Sequence, residues 1–333
     1  MTPPLEDGDI LPQRVVHLEN LDKILTDKTI DYEPSVVFTT SPYFEEANNK
    51  LSPNLAGDSS FVLDDESISW IVSEYERWTG LSFSKKMAKL RRFHTNGKSG
   101  SKSLPFAWSV WKMREAMKSD NIDFRDEELH AANVGLLSFQ NGIAQWSHHP
   151  LFNKIIADLK NDGTFYHTMS QFNIASYLFS HGNRIGFSVN NVAGKAKPDL
   201  YCKWRPPEKF FIEVKSPQVL LWRKSGIPSR ESVRAKIRTE LSKRRQIGRA
   251  SPGMIVLANN HPSPLVHHWV VSEIDTYLRD SGIQNPYLAG AATMWAEGIR
   301  RNAERHNGIW TVYEFVPIEN PGCRIQDNPL RIN

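Results

Sequence analysis

The sequence predicts an α/β protein with a central mixed β-sheet flanked by helices and a mostly helical N-terminal domain. Two observations predict this class. In the second half of the chain, short apolar runs of strand length, such as 210–212 and 253–258, alternate with segments whose apolar residues recur at helical spacing. In the first half, apolar residues recur mainly at helical spacing. Turn residues near position 150 divide the chain into domains over 1–150 and 151–333.

The first half is expected to begin with a strand and then to be built from helices. The strand is predicted over 35–40, and apolar periodicity predicts helices over 66–78, 106–117, 130–146 and 151–159. Tryptophans in these segments recur at helical spacing, so we expect them to pack in the core. This region shows no known motif, and its expected role is nucleic-acid recognition or oligomerisation.

The second half supplies the strands of the sheet and the helices that flank it. In chain order, we predict a helix over 170–180, a strand over 185–189, strands over 200–203 and 210–215, a helix capped by Ser229, strands over 253–258 and 291–295, a helical turn over 296–305 and a strand over 309–316. Pro206 and Pro207 indicate a turn between the second and third strands, so these two strands should form a hairpin.

This hairpin carries two carboxylates and a lysine. Asp199 directly precedes its first strand, and Glu213, Val214 and Lys215 follow the apolar run of its second strand. Because side chains alternate along a strand, Glu213 and Lys215 point to the same face, and pairing should bring Asp199 near Glu213. Two carboxylates and the backbone carbonyl of Val214 can hold Mg²⁺, a cation that prefers oxygen ligands, and Mn²⁺ can substitute for it. A metal held in this way, with a lysine beside it, is suited to the hydrolysis of a phosphodiester bond. Lys215 would assist the attack of water on that bond or neutralise the charge of its phosphate.

These residues resemble the motif of the PD-(D/E)XK nuclease superfamily, which has the restriction-endonuclease-like fold. The resemblance covers residues 150–317 and implies a core made of a helix, a motif-bearing hairpin, a second helix and a further strand. It implies that Asp199 and Glu213 bind the metal and that Lys215 is the catalytic lysine. Many members carry a glutamate in the first core helix, where this chain has Gln171, which we expect to hold the water or to contact a ligand. The implied function is a Mg²⁺-dependent endonuclease that hydrolyses DNA phosphodiester bonds.

Three other interpretations of the same residues remain open at the level of the sequence. Glu213 and Lys215 could be a solvated cross-strand pair, with Asp199 a turn residue. The domain could be an inactive module of the same fold that binds nucleic acid without cutting it. It could also be a protein-interaction domain in which the motif is accidental.

Basic residues are concentrated in two segments. Residues 223–249 contain ten Lys or Arg and two acidic residues, and residues 85–102 contain seven basic residues and no acid. Such segments suit contacts with the phosphates of DNA, and the alternative is a solvated basic face. The residues predicted to contact phosphates are Lys85, Lys86, Arg91, Arg92, Lys195, Lys197, Arg234, Arg238, Lys243, Arg244 and Arg245.

Composition restricts the remaining classes of function. The formal net charge of +4 is only mildly basic, and two cysteines, Cys202 and Cys323, indicate a reducing, cytoplasmic setting without a disulfide framework. We predict no membrane segment. A Gly-Lys-Ser occurs at 97–99, but it lacks the earlier glycine and the strand of a phosphate-binding loop, so ATP is not implied. Cutting both strands of a duplex would favour a homodimer or a partner protein.

Overall fold

The computed structural model describes residues 51–53, 59–61, 65–118, 126–147, 149, 151–180, 184–187, 198–205, 208–223, 225–243, 247–249, 252–281, 284–303 and 306–325. The strand predicted over 35–40 lies outside these residues.

Eight α-helices occur within the described residues. They are α1 Asp65–Thr79, α2 Phe83–Thr95, α3 Pro105–Met117, α4 Glu127–Trp146, α5 Phe152–Ile156, α6 Phe165–Ser180, α7 Arg230–Leu241 and α8 Pro264–Ser281, with 3₁₀ turns at Ala157–Lys160, Asp162–Thr164 and Gln218–Leu220. Two helix starts are capped by side chains. The Asp126 carboxylate accepts from the N–H of Glu128 before α4, and the Ser229 hydroxyl accepts from the N–H of Ser232 before α7.

The described strands form one sheet. They are β1 Leu51–Pro53, β2 Ser59–Phe61, β3 Arg184–Phe187, β4 Leu200–Arg205, β5 Glu208–Lys215, β6 Gly253–Asn259, β7 Leu288–Ala303 and β8 His306–Glu319. The order across the eight-stranded sheet is β1-β2-β8-β7-β6-β5-β4-β3. β5, β6 and β7 run parallel to one another, and the other neighbours are antiparallel. A six-stranded mixed sheet, β3 to β8, is thus extended by a short hairpin, and the predicted α/β class is confirmed.

Helices cover both faces of this sheet. Along β6, where all seven residues are buried, Met254 and Val256 belong to a large apolar cluster that also holds the buried residues of α1 to α6. Ile255 and Leu257, which point to the opposite face, belong to a second cluster with α7 and α8. A strand that is buried on both faces reads as a continuous apolar run, which is how β6 was found in the sequence.

The helices before residue 150 share the large cluster with the sheet. Trp146 of α4 meets Phe187 of β3 edge-on, with ring centroids 4.9 Å apart, and Trp108 of α3 is fully buried in the same cluster. Trp108 and Trp146 are therefore core residues, as predicted. One continuous core extends past position 150, and the division of the chain into folding units at that position stays a prediction.

The helical turn predicted over 296–305 is wrong. β7 continues as a strand to Ala303, and each of its residues from Ala296 onward pairs with β8, ending at Ala303 opposite His306. Backbone hydrogen bonds to a long neighbouring strand outweigh the local helical pattern of a polar segment.

Several elements differ in extent from the sequence prediction, and some were not predicted. α6 begins at Phe165, five residues before the predicted start, and α2 was not predicted as a helix. Pro317 lies within β8 rather than at its end. It lies opposite Ala292 of β7, in a stretch of β8 to which β2 does not pair, and proline is tolerated best where one side of a strand has no neighbour. Among the helices of the described residues, none has the length and apolar character needed to cross a membrane.

Candidate functional site

Strand pairing brings Asp199 to the end of β5. β4 and β5 are antiparallel, with Leu200 opposite Ile212, so Asp199, one residue before β4, lies beside Glu213. Asp199 is buried at a bend, with 8% of its surface exposed. The structure therefore brings together the two carboxylates that the sequence placed at one site.

Two hydrogen bonds fix the Asp199 carboxylate. Its Oδ2 accepts from the backbone N–H of Val214 at 2.8 Å, and its Oδ1 accepts from Nε2 of Gln171 at 2.7 Å. Gln171 lies on α6, the first helix of the motif-bearing half. With one donor on each oxygen, the carboxylate is held in a single orientation.

Glu213 is nearly sealed from solvent. It is 2% exposed, its Oε1 contacts the ammonium of Lys215, and its Oε2 has no hydrogen-bond partner among the described residues. Burial, followed by the charge of Asp199, raises the pKa of Glu213 well above its usual range. Because two carboxylates at this depth repel one another, the site favours an additional proton or cation.

The donor atoms at this site fit a hard divalent cation. Within the described residues, no group of three or more His, Cys, Asp or Glu side chains is arranged to hold a metal ion. The site offers two carboxylates instead, one of which has an unpartnered buried oxygen. The N–H and C=O of a strand residue point to the same side, so the Val214 carbonyl faces Asp199, as its N–H does. One or two carboxylates with waters suffice for Mg²⁺.

Two further side chains reach this site that the sequence analysis missed. His167 lies one helical turn before Gln171, and its Nε2 is 3.5 Å from Asp199 Oδ1 and 3.1 Å from Gln171 Nε2. Burial lowers the pKa of His167, but the hydrogen bond and charge of Asp199 outweigh burial, so the pKa is raised overall. Asp158, which is exposed, lies close enough to interact electrostatically with both His167 and Asp199. The available signal was the four-residue spacing from His167 to Gln171, which places both on one face of a helix.

The basic residues predicted to contact phosphates have different surroundings. Lys195, Lys197, Arg244 and Arg245 lie outside the described residues. On and just after α7, the remaining three are ion-paired. Arg234 lies 3.4 Å from Glu273, Arg238 lies 3.4 Å from Asp280, and Lys243 lies 2.6 Å from Glu240.

The predicted basic residues of α2 differ from those of α7. Lys86 is ion-paired with Asp162 at 2.6 Å. Lys85, Arg91 and Arg92 are exposed. α2 therefore presents charge to solvent that α7 largely balances within the fold.

Comparison of the chain with protein-family models, with curated proteins and with solved structures finds no match.

Proposed function

We propose that this protein is a metal-dependent nuclease that hydrolyses DNA phosphodiester bonds at the site formed by Asp199, Glu213 and Lys215. The observation that carries the proposal is the buried Glu213 carboxylate, which lies beside Asp199 and has one oxygen without a hydrogen-bond partner among the described residues. A solvated cross-strand pair would require water around both side chains. Glu213 is 2% exposed, so its surroundings disfavour that alternative.

The order of elements around the site supports a restriction-endonuclease-like core. α6 is followed by the strands β3, β4 and β5, then by α7 and β6. β3, β4 and β5 are antiparallel neighbours, and β6 is parallel to β5. This is the succession of helix, motif-bearing hairpin, helix and further strand that the resemblance to the PD-(D/E)XK superfamily implies.

The side chains of the site have separable roles in this proposal. Mg²⁺ held by Asp199, Glu213 and the Val214 carbonyl would polarise the scissile phosphate and lower the pKa of a water. Asp199 is oriented in advance by Gln171 and the Val214 N–H, so no reorganisation of this carboxylate accompanies substrate binding.

Lys215 is placed to act on the substrate. Its side chain is 18% exposed, and its ammonium contacts Glu213, so the lysine connects the buried carboxylate to the mouth of the site. From there it can neutralise the scissile phosphate and orient the attacking water. His167 lies against Asp199 and helps to balance the charge of that carboxylate.

Cleavage of a supercoiled plasmid and of a single-stranded circle tests the proposal, with Mg²⁺, Mn²⁺ or EDTA. We expect cutting that requires metal and that falls by at least ~100-fold in Asp199→Asn, Glu213→Gln and Lys215→Met, since a loss of ~3 kcal/mol in transition-state stabilisation has this effect. Comparison of the two substrates identifies the strandedness that the site accepts.

A matched control is Glu240→Gln. Glu240 is also buried and contacts two lysines, Lys236 at 2.7 Å and Lys243 at 2.6 Å, but it lies on α7 away from the site. The Glu240→Gln variant should therefore cut DNA as the wild type does.

A second readout does not depend on activity. Mg²⁺ or Mn²⁺ should raise the melting temperature of the wild type, and this shift should be lost in Asp199→Asn. Salt-dependent DNA binding without cutting would instead identify an inactive module. Absence of both DNA binding and cutting would favour the interpretation of the chain as a protein-interaction domain.

A further inference from the structure

The exposed face of α2 is a continuous basic surface. Leu90 anchors the helix in the core, and on the opposite side Lys85, Lys89 and Arg92 follow one another at helical spacing, with Arg91 beside them. These four residues are exposed, and α2 contains no acidic residue. From Lys85 to Arg92 the surface runs about 10 Å along the helix axis. We call these four residues the α2 basic face.

The loop after α2 continues the same charge. Lys98 and Lys102 are exposed in the segment between α2 and α3, which also lacks acidic residues. Gly97 and Gly100 in this loop have φ values of 71° and 81°, a backbone region that favours glycine. These turns allow the loop to double back against Leu90 and Phe93, on the side of α2 that faces the core.

The α2 basic face is not neutralised by acidic neighbours in the part of the chain that the structure describes. No described acidic side chain lies within ion-pair distance of Lys85, Lys89, Arg91 or Arg92. Lys86, which points the other way, is the residue that pairs with Asp162. A row of unpaired cations attracts polyanions, because phosphates can release their counterions on binding.

The basic residues on and just after α7, unlike those of the α2 basic face, lie close to carboxylates. Arg230 and Arg234 both lie near Glu273, at 3.5 Å and 3.4 Å, and Arg238 lies 3.4 Å from Asp280. Lys236 and Lys243 both contact Glu240. Five cations thus share three carboxylates, so a phosphate would have to compete with these ion pairs for each contact.

α2 is joined, through the side opposite its basic face, to the helix that carries the site. The Lys86–Asp162 ion pair ties α2 to the turn that precedes α6. The Tyr166 hydroxyl lies 3.5 Å from the Ser101 carbonyl, which ties the loop to the first turn of α6. From the start of α6 at Phe165 to Gln171 is about 9 Å of helix. A duplex carries one negative charge per about 1.7 Å along its whole axis, so phosphates away from the cut position are available to contact the α2 basic face.

We propose that the α2 basic face, extended by Lys98 and Lys102, is the surface that holds the DNA backbone next to the cutting site. The inference rests on the proposed nuclease function and assigns its substrate contacts to α2 instead of α7. Lys86 is excluded from these contacts, because its ammonium is engaged with Asp162. Lys89, which the sequence analysis did not single out, is included.

Binding of a labelled 30-base-pair duplex of arbitrary sequence tests the assignment. Fluorescence anisotropy in EDTA would be measured between 50 and 300 mM NaCl for the wild type and for a variant with Lys85, Lys89, Arg91 and Arg92 all changed to Gln. Each phosphate contact adds about 0.9 to the slope of log affinity against log salt, so four lost contacts should lower this slope by ~3–4. At low salt the affinity should fall by about 100-fold or more.

Two variants provide the comparison. The first variant has Arg230, Arg234, Arg238 and Lys243 all changed to Gln, so it loses the same number of charges on and just after α7. We expect its slope of log affinity against log salt to differ from that of the wild type by less than about 1. Lys86→Gln breaks the ion pair with Asp162, so it should lower the melting temperature and leave the slope unchanged. Circular dichroism of each variant shows whether it has folded.

The outcomes separate this inference from the proposed function. If the wild type cuts DNA but the α2 variant keeps the wild-type slope, or if the α7 variant loses as much slope as the α2 variant, the inference is wrong and the nuclease proposal stands. If the wild type neither binds nor cuts, both are wrong. A reduced slope in the α2 variant alone supports the inference.

Discussion

Two buried glutamates, each in contact with lysine, have pKa values that their surroundings shift in opposite directions. Burial alone would raise the pKa of Glu240, but hydrogen bonds from Lys236 and Lys243 outweigh it and lower the pKa. Glu213 has one lysine and a second carboxylate, Asp199, and its pKa is raised. The charge of Glu240 is therefore satisfied within the fold, whereas that of Glu213 is not. This difference between two buried glutamates is what the proposed ligand site predicts at the level of single residues.

Two buried histidines form turns of a type usually built with Asn or Asp. Nδ1 of His149 accepts from the N–H of Leu151 at 3.0 Å, and Nδ1 of His261 accepts from the N–H of Ser263 at 3.1 Å. Burial lowers the pKa of each imidazole to about 4. Both rings are therefore kept neutral by the fold, and protonation acts against the folded state.

The substitution His149→Asn should make stability less sensitive to acid. The unfolded chain binds the proton with a pKa near 6.5 and the folded protein only near 4, so stability is complete above pH 6.5 and is lost as pH falls toward 4. Between pH 7.5 and pH 5, His149 should account for about 2 kcal/mol of the loss in unfolding free energy. Asn can keep the turn as an acceptor, and it does not titrate.

Urea unfolding at the two pH values checks this expectation. Loss of ring packing will lower the stability of His149→Asn at both values, so the relevant quantity is the difference between them. The exposed residue His268 supplies the control, His268→Asn. An equal acid-induced loss in wild type and His149→Asn would contradict the assignment.

The residues at the site could be placed from the sequence where local geometry was sufficient. Strand alternation put Glu213 and Lys215 on one face, and the resemblance to the PD-(D/E)XK superfamily singled out Gln171 in a helix that apolar spacing predicts. His167 was missed because the helix was predicted to begin at residue 170, whereas α6 begins at Phe165, so the four-residue spacing from His167 to Gln171 fell outside the predicted helix. The ion pairs of α7 escaped because their acidic partners, Glu273 and Asp280, are about forty residues away in the chain. A one-dimensional pattern cannot show charge balance across such a separation.

At the level of elements, prediction was reliable where burial gives a pattern of its own. β6 is apolar from Met254 to Ala258 because both faces are covered, and α1 and α3 show a stripe that faces the core. The segment after Trp295 has no such pattern, and its polar sequence predicts a helical turn. Its strand structure depends on pairing with β8, which is a tertiary contact.

The contact between β5 and β6 depends on a glycine at the start of β6. A Cβ on Gly253 would lie 1.9 Å from the Phe211 carbonyl oxygen and 2.6 Å from its carbonyl carbon, both backbone atoms. Gly253→Ala must push β6 away from the strand that carries Glu213. We expect a loss of about 2–3 kcal/mol in unfolding free energy, measured by urea denaturation, together with slower cutting.

The matched control is Gly248→Ala. A Cβ at Gly248 would meet no atom within 4 Å, so the stability should change by less than about 0.5 kcal/mol. Equal stability of the two alanine variants would show that β5 and β6 are not held as closely as described.

The whole molecule is organised around the large apolar cluster. α4 packs closely against α6, since a Cβ on Gly142 of α4 would lie only 3.0 Å from the ring of Phe172 of α6. α3 packs against α6 as well, because the ring centroids of Phe106 of α3 and Phe165 of α6 are 6.2 Å apart. α6 is therefore covered by helices from the first half of the chain while it carries Gln171 and His167 on its site-facing side. The site depends on this packing for its geometry.

Division of the chain at position 150 tests how far the two halves depend on one another. Expressed alone, 151–333 should expose the apolar surface around Phe172 and Phe187, bind a hydrophobic dye and unfold without a cooperative transition. Co-expressed with 1–150, it should form a complex that copurifies and melts cooperatively. A cooperative transition for 151–333 alone would establish the boundary predicted from the sequence.

The two outer strands of the sheet limit how copies of the chain can meet. β1 has three residues, including Pro53, which has no N–H to offer a neighbour, and β3 has four. Short edges with proline are poor templates for adding strands from another molecule. At these two edges of the described sheet, strands would therefore not run continuously from one copy of the chain into another.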